Sequence, residues 1–141
     1  MKFTPAPIGG VWVIDPERIE DERGFFARSW CESEFRERGL NPRLAQCNLS
    51  FNARRGTLRG LHYQAAPHAE AKLIRCTMGA IFDVAVDLAT GKWFAVELSA
   101  AKLTKLNTTN SRLRIVMSRK MIAFRISSAV ANTSAISITT R

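Results

Sequence analysis

Acidic residues are missing from the last third of this 141-residue chain, since all 12 aspartates and glutamates lie at or before Glu97. Glycine and proline are also missing after Gly91, although chains use them for turns between β-strands. Residues 1–97 carry 13 basic and 12 acidic side chains, whereas residues 98–141 carry 8 and none, so the net charge of +9 belongs to the tail. A nucleic-acid surface often adds stacking aromatics to its cations, and the tail has only Phe124. We therefore do not expect nucleic-acid binding.

Long apolar runs and metal-binding patterns are missing as well. No apolar run approaches the roughly 18 residues of a membrane span, and residues 1–5 contain no apolar core of a secretory signal. The three cysteines, Cys31, Cys47 and Cys76, have no metal or redox spacing, and His62 and His68 lie six residues apart across Pro67. These absences predict a cytoplasmic protein with reduced thiols, no metal and no membrane association.

Short β-strands separated by turn residues fill the first hundred residues. We predict strands at 10–15, 25–30, 44–51, 57–64, 71–78, 81–88 and 93–99, with one short helix at 32–38 that Gly39 ends. This pattern is typical of a β-sandwich, jelly roll or barrel.

The chain divides into a β-domain at 1–99 and a basic tail at 100–141. Residues 112–117 and 136–140 have strand propensity. The tail is nevertheless aberrant for a β-domain, because it lacks the usual turn residues. Its composition fits a shifted reading frame, a diverged tail or a disordered tail.

Gly56–Gln64 concentrates residue types that suit proton transfer. An imidazole such as that of His62 exchanges protons near neutral pH, although a single histidine is more often structural. Strict strand alternation puts Arg59 and His62 on opposite faces. A shared site therefore requires a β-bulge at Gly60, and bulges are common beside active sites.

Polar side chains on the neighbouring predicted strands complete a candidate pocket. Lys72 shares a face with Ile74 and Cys76, and Gln46, Asn48 and Ser50 alternate along one face. Asp83 and Asp87 share a face inside an apolar strand, where buried carboxylates need partners. They could orient His62 or simply pair with Arg75 or Lys72. The Gln46–Ser50 face could equally be an ordinary solvated strand.

Five segments together resemble the dTDP-4-dehydrorhamnose 3,5-epimerase family over residues 1–99. They are Asp21–Phe26, Gln46–Ser50, Gly56–Gln64, Lys72–Arg75 and Gly79–Asp87. The resemblance implies a cupin-type jelly roll that pairs into a homodimer and needs no metal or cofactor. It also implies a dTDP-linked 4-keto-6-deoxyhexose as the substrate, inverted at C3 and C5 on the route to dTDP-L-rhamnose.

The resemblance also implies residue roles. His62 matches the general base, and Lys72 matches the lysine that stabilises the enolate. Arg23, Phe26, Arg59 and the segment Gln46–Ser50 match substrate-contacting positions, with Gln46, Asn48 and Ser50 as the candidates. A hydrogen α to the C4 ketone is acidic because the resulting negative charge spreads onto oxygen, and the cations would stabilise that charge.

The chain departs from the family pattern after residue 99. The family's general acid is a tyrosine well downstream of the histidine, and this chain has no tyrosine after Tyr63. We therefore predict impaired double epimerisation. A non-catalytic sugar-nucleotide-binding cupin, a sugar-nucleotide ketoisomerase and a nucleic-acid binder acting through the basic tail remain as alternatives.

Overall fold

A computed structural model describes residues 1–100 in full, the backbone of residues 115–119, 121–127 and 133–140, and the side chains of residues 133–139. Within these residues the chain forms 12 strands and one short helix. The first strands and the helix are β1 (Lys2–Pro5), β2 (Val11–Asp15), β3 (Arg18–Asp21), β4 (Gly24–Ala27), α1 (Glu32–Arg36), β5 (Leu44–Asn52) and β6 (Leu58–His62). They are followed by β7 (Ala71–Met78), β8 (Ala80–Asp87), β9 (Trp93–Ser99), β10 (Ile115–Arg119), β11 (Met121–Ser127) and β12 (Thr133–Thr140).

Two antiparallel sheets make up most of the fold. The larger has six strands in the order β1-β2-β10-β7-β12-β5, and the smaller has four in the order β6-β11-β8-β9. Strands β3 and β4 form a separate two-stranded hairpin. The all-β prediction with one short helix is therefore confirmed.

The first part of the core lies between the two large sheets. Ile74 and Cys76 on β7 cluster with Ile81 on β8 and Leu98 on β9, and each is 0–1% exposed. We call the face of the six-stranded sheet that carries Ile74 and Cys76 the inner face. Since strand side chains alternate, Lys72 shares this face, as the sequence predicted.

The opposite face of the six-stranded sheet is covered by helix α1. Phe35 on the helix is 1% exposed and clusters with Ile14 on β2 and Leu73 on β7. The Phe35 ring also packs edge-on against Phe3, with the ring centres 5.5 Å apart. Burying one large apolar side chain of this kind stabilises a fold by about 1.5–3 kcal/mol. The helix therefore covers the outer face, and the inner face faces the second sheet.

Residues beyond 100 contribute three strands to the described sheets. Strand β10 pairs with β2 and β7, β11 with β6 and β8, and β12 with β5 and β7. Strands β10 and β12 overlap the predicted strands at 112–117 and 136–140, whereas β11 was not predicted. The shifted-frame origin of this segment stays a prediction. Helix α1, the one helix among the described residues, is too short to cross a membrane.

Candidate active site

The inner face of the six-stranded sheet changes from apolar to polar along its strands. On β12, Ala135 pairs with Cys76, and both are buried in the core. Four residues further along β12, Thr139 pairs with Lys72, and both line a cavity. Ser137 lies between them on the same face and also lines it. The cavity therefore continues the space between the sheets, with polar side chains in place of the core.

Strand β5 forms one wall of this cavity, at the edge of the six-stranded sheet. Gln46 pairs with Thr139 and Asn48 pairs with Ser137, so the polar faces of β5 and β12 coincide. Among the described side chains, the lining of this 300 Å³ cavity consists of Gln46, Asn48, Ser50, Arg59, His62, Gln64, Glu70, Lys72, Ser137 and Thr139. Leu49 points the other way and is 71% exposed. Six of the candidate residues from the sequence thus meet in one cavity.

A bulge in β6 brings Arg59 and His62 to the same cavity. His62 pairs with Ala123 and Arg59 pairs with Arg125, so three steps along β6 match two along β11. Gly60 lies inside this bulge with φ of 130°, a conformation that other residues rarely adopt. The additional residue turns His62 to the side of Arg59. The shared site that strict alternation ruled out is therefore present.

Hydrogen bonds fix the guanidinium of Arg59. Its Nε donates to Oδ1 of Asn52 at 2.6 Å, and its Nη2 donates to the Phe51 carbonyl oxygen at 3.1 Å. Asn52 is 6% exposed, and its Nδ2 donates to Oγ1 of the fully buried Thr133 at 3.2 Å. The arginine is therefore held at its inner end by a buried polar pair.

An ion pair inside the cavity joins Lys72 to Glu70. Lys72 Nζ lies 2.7 Å from Glu70 Oε1, and the two side chains are 18% and 6% exposed. Such a pair interacts more strongly than a surface pair, because less water screens the charges. The cavity therefore contains the cations Arg59 and Lys72, the imidazole of His62 and one carboxylate.

Sequence reasoning missed four lining residues, Gln64, Glu70, Ser137 and Thr139. Glu70 precedes Lys72 by two residues, so in an extended chain the two side chains share a side. That spacing was a usable signal. Ser137 and Thr139 alternate with isoleucines in the tail, and the same alternation indicates one polar face of a strand.

Arg23 and Phe26 lie on the β3–β4 hairpin, outside the described lining of the cavity. The Arg23 side chain is 84% exposed and its Nε donates to Oδ2 of Asp21 at 3.1 Å. The side-chain hydrogen bonds from Arg23 hold the pKa of Asp21 below its usual value, and the hydrogen bond from the Arg23 backbone N–H adds a smaller effect. Phe26 is 72% exposed. Within one copy, the structure does not bring these two residues to His62.

Asp83 and Asp87 also lie outside the described lining. Asp83 is 2% exposed on β8, and β11 separates it from Arg59, since Arg125 pairs with both. Two strand spacings amount to about 10 Å, which is beyond the reach of an aspartate. Oδ2 of Asp87 accepts a 2.7 Å hydrogen bond from the Thr90 hydroxyl, and Oδ1 accepts a 3.0 Å bond from the Ala89 N–H. These hydrogen bonds lower the pKa of Asp87, and the bond from the Thr90 hydroxyl has the largest effect. Asp87 therefore stabilises the turn between β8 and β9.

Metal ligands do not cluster in the described part of the chain. No group of three or more histidine, cysteine, aspartate or glutamate side chains there could hold a metal ion. None of Cys31, Cys47 and Cys76 forms a disulfide bond.

Comparison with known families identifies the relatives of this chain. The family model described as dTDP-4-dehydrorhamnose 3,5-epimerase matches residues 5–110. The chain belongs to this epimerase family. The dTDP-4-dehydrorhamnose 3,5-epimerase of Sinorhizobium fredii is 44% identical over 104 residues, which are 70% of this chain and 53% of that protein. The dTDP-4-dehydrorhamnose 3-epimerase of Streptomyces niveus is 45% identical over 92 residues, which are 64% of this chain and 44% of that protein.

Solved structures of this epimerase family have the same fold. The dTDP-4-dehydrorhamnose 3,5-epimerase from Elizabethkingia anophelis superposes with a TM-score of 0.85 and 33% identity, covering 99% of this chain and 73% of that one. The predicted cupin jelly roll is thereby confirmed. The chain spans about half the length of the curated epimerases named above, 53% and 44%.

Proposed function

We propose that this epimerase-family chain binds a dTDP-linked 4-keto-6-deoxyhexose and removes a proton next to the ketone. The observation that carries the proposal is the meeting of His62, Arg59 and Lys72 in a single cavity. The bulge at Gly60 also supports the proposal, because it turns the candidate base His62 to the same side of β6 as the cation Arg59.

The reaction starts at a carbon adjacent to the C4 ketone. The neutral imidazole of His62 takes the C–H proton, and the electron pair left on carbon delocalises onto the ketone oxygen as an enolate. Lys72 donates a hydrogen bond to that oxygen as its charge grows, a contribution often worth about 3–4 kcal/mol. Returning a proton to the same face restores the substrate, and returning it to the opposite face inverts the centre.

The size of the cavity suits the sugar rather than the whole sugar nucleotide. Its volume of about 300 Å³ lies at the lower end of ligand pockets. The hexose therefore occupies the cavity and the nucleotide extends beyond it. The Arg59 guanidinium is suited to the diphosphate between them, because it forms paired hydrogen bonds with phosphate oxygens.

Inversion needs a second proton donor on the opposite face, and the family uses a tyrosine for it. The single tyrosine of this chain, Tyr63, directly follows the base, is 52% exposed and lies outside the described lining. We therefore propose that this polypeptide exchanges the C3 and C5 hydrogens with solvent much faster than it inverts either centre. His62 is exposed, which allows its proton to exchange with water.

Deuterium exchange tests this proposal directly. The chain is incubated with dTDP-4-dehydro-6-deoxyglucose in heavy water, and deuterium at C3 and C5 and the inverted product are followed by NMR. We expect exchange with little inversion, and loss of exchange in His62→Asn. His68→Asn is the matched control, since His68 lies outside the described lining, and it should exchange normally.

Each other outcome has a distinct meaning. Inversion at ordinary enzyme rates would disprove the missing-donor argument. Binding of dTDP without any exchange would favour a non-catalytic sugar-nucleotide-binding module. Lack of both binding and exchange would disprove the assignment to sugar nucleotides.

The β3–β4 hairpin supports a homodimer as part of this proposal. Ile19 and Phe26 pair across the hairpin and are 71% and 72% exposed. Such an apolar pair next to the exposed Arg23 suits insertion into a second copy. In the proposed dimer, Arg23 and Phe26 of one copy complete the cavity of the other.

Mixed dimers test this arrangement. Co-expressed Arg23→Ala and His62→Ala chains form dimers in which one cavity keeps both native residues. Exchange should then recover to about a quarter of the wild-type rate, since half of the dimers are mixed and each has one intact site. No recovery, or a monomer in light scattering, would contradict the shared site.

We also propose that most of the tail at 100–141 is not of the same origin as residues 1–99. The family match ends at residue 110, and no acidic residue follows Glu97. Sequencing the gene across codons 95–105 and translating the other two frames tests this. We expect one of the two other frames to encode a sequence that matches the epimerase family and contains a tyrosine downstream of His62. Absence of such a sequence from both frames would disprove the frame shift.

A further inference from the structure

Asn52 contacts the cavity's arginine without lining the cavity itself. We propose that Asn52 is a positioning residue that aims the Arg59 guanidinium at the diphosphate of the substrate. This inference rests on the proposed function, because it requires a phosphate-bearing ligand next to Arg59. Asn52 acts through the arginine and makes no contact with the substrate.

The geometry fixes the amide of Asn52 in one orientation. Oδ1 accepts from Arg59 Nε at 2.6 Å, and Nδ2 donates to Thr133 Oγ1 at 3.2 Å. The reversed amide would place an NH₂ group against the guanidinium, donor against donor. Thr133 is fully buried and Asn52 is 6% exposed, so water competes little for the bond between them. The pair therefore holds the arginine in one direction.

The contacts to Arg59 leave the outer edge of its guanidinium for a ligand. Nε and one N–H of Nη2 are used by Asn52 and by the Phe51 carbonyl oxygen. A guanidinium carries five N–H groups, so up to three remain, on Nη1 and Nη2. This edge can form two parallel hydrogen bonds with a phosphate.

A neutral amide suits this task better than a carboxylate. Both side chains can accept a hydrogen bond from Nε and hold the arginine. An aspartate would in addition neutralise the guanidinium and repel a diphosphate, because its negative charge would lie next to the anion site. The amide therefore orients Arg59 and leaves its positive charge for the ligand.

The position of Asn52 separates the anion end of the cavity from the ketone end. Asn52 and Gln46 lie six residues apart on β5, roughly 20 Å along the strand. Gln46 shares a cross-strand row with Lys72, since Thr139 pairs with both. Two long side chains thus reach inward from opposite ends, Arg59 toward the diphosphate and Lys72 toward the ketone.

Binding of dTDP and of thymidine by calorimetry tests the inference. We expect Asn52→Ala to weaken dTDP binding about tenfold, as expected for one lost hydrogen bond to a charged group, and to leave thymidine binding unchanged. Arg59→Ala should weaken dTDP at least as much, and the double variant no further than Arg59→Ala. Asn41→Ala is the matched control, because the Asn41 Oδ1 also accepts a hydrogen bond but lies outside the described lining.

The outcomes separate this inference from the proposed function. Unchanged dTDP binding in Asn52→Ala, with a loss in Arg59→Ala, would overturn the positioning role alone. Unchanged binding in Arg59→Ala would overturn the phosphate role on which both proposals depend. Equal weakening of dTDP and thymidine would indicate a merely structural asparagine.

A second variant covers the case in which Asn52→Ala does not fold. Asn52→Asp keeps the shape, and Thr133 can donate to the new carboxylate. We expect it to fold and to bind dTDP at least tenfold more weakly, with thymidine binding unchanged. Wild-type dTDP affinity in Asn52→Asp would overturn the inference.

Discussion

Gly60→Ala should separate His62 from Arg59 by removing the bulge in β6. Gly60 has φ of 130° at the point where β6 and β11 lose register. An alanine strongly disfavours this conformation, because its Cβ collides with the neighbouring backbone. The chain then either keeps the bulge under strain or returns to a regular strand. A regular strand turns His62 away from Arg59, because alternate residues face opposite sides.

The magnitude follows from the backbone conformation. A non-glycine residue held in such a region costs about 1–3 kcal/mol. If the bulge persists, Gly60→Ala lowers the free energy of unfolding by that amount, measured by urea denaturation. If the strand becomes regular, stability is largely kept, but His62-dependent deuterium exchange into the sugar falls at least tenfold. The two assays together therefore detect either response.

Gly9→Ala is the matched control for this experiment. An added Cβ at Gly9 meets no atom within 4 Å, and its φ lies outside the positive range. It should change neither stability nor exchange. If Gly60→Ala were as stable and as active as Gly9→Ala, the argument that the bulge builds the site would be refuted.

Two further predictions concern charged groups. Glu70→Gln removes the carboxylate from Lys72 in the cavity, and we expect a loss of about 1–3 kcal/mol in urea unfolding. Glu32→Gln breaks the exposed pair with Arg36 and should change stability by less than about 0.5 kcal/mol. Equal losses of stability in the two variants would contradict a stronger contribution from the Glu70–Lys72 pair. The lowered pKa of Asp87 means that its hydrogen bonds stabilise the fold above its unfolded value of about 4 and are lost as pH falls through the folded value. Asp87→Asn should therefore reduce stability at neutral pH and flatten its decline below about pH 4 in acid titrations; an unchanged acid profile would contradict this reading.

Much of the fold could be predicted because turn residues mark the strand ends. The predicted strands at 71–78 and 93–99 coincide with β7 and β9. Gly79, with φ of 73°, ends the first, and Gly91, with φ of 69°, precedes the second. Positive φ strongly favours glycine, so these positions limit the strands in the sequence as well as in the structure.

Strands without such marks were missed. Strand β1 is four residues long, ends at Pro5 and lies at a sheet edge, where proline is tolerated because no N–H is needed. Strand β11 lies in the tail without glycine or proline, and no turn residue indicated where it begins. Both strands depend on pairing with distant partners, which local propensity does not report.

The candidate site was predictable where residues share a strand and less so where they lie on different strands. Alternation correctly grouped Gln46, Asn48 and Ser50, since faces repeat every two residues. It could not show that Asp83 lies away from the cations, because that distance depends on the register between strands. Asp83 pairs in the row of Arg59, with one strand between them, whereas Glu70 precedes Lys72 on the same chain segment and contacts it directly. The carboxylate nearest in sequence to the lysine is therefore the one that sets the charge of the cavity.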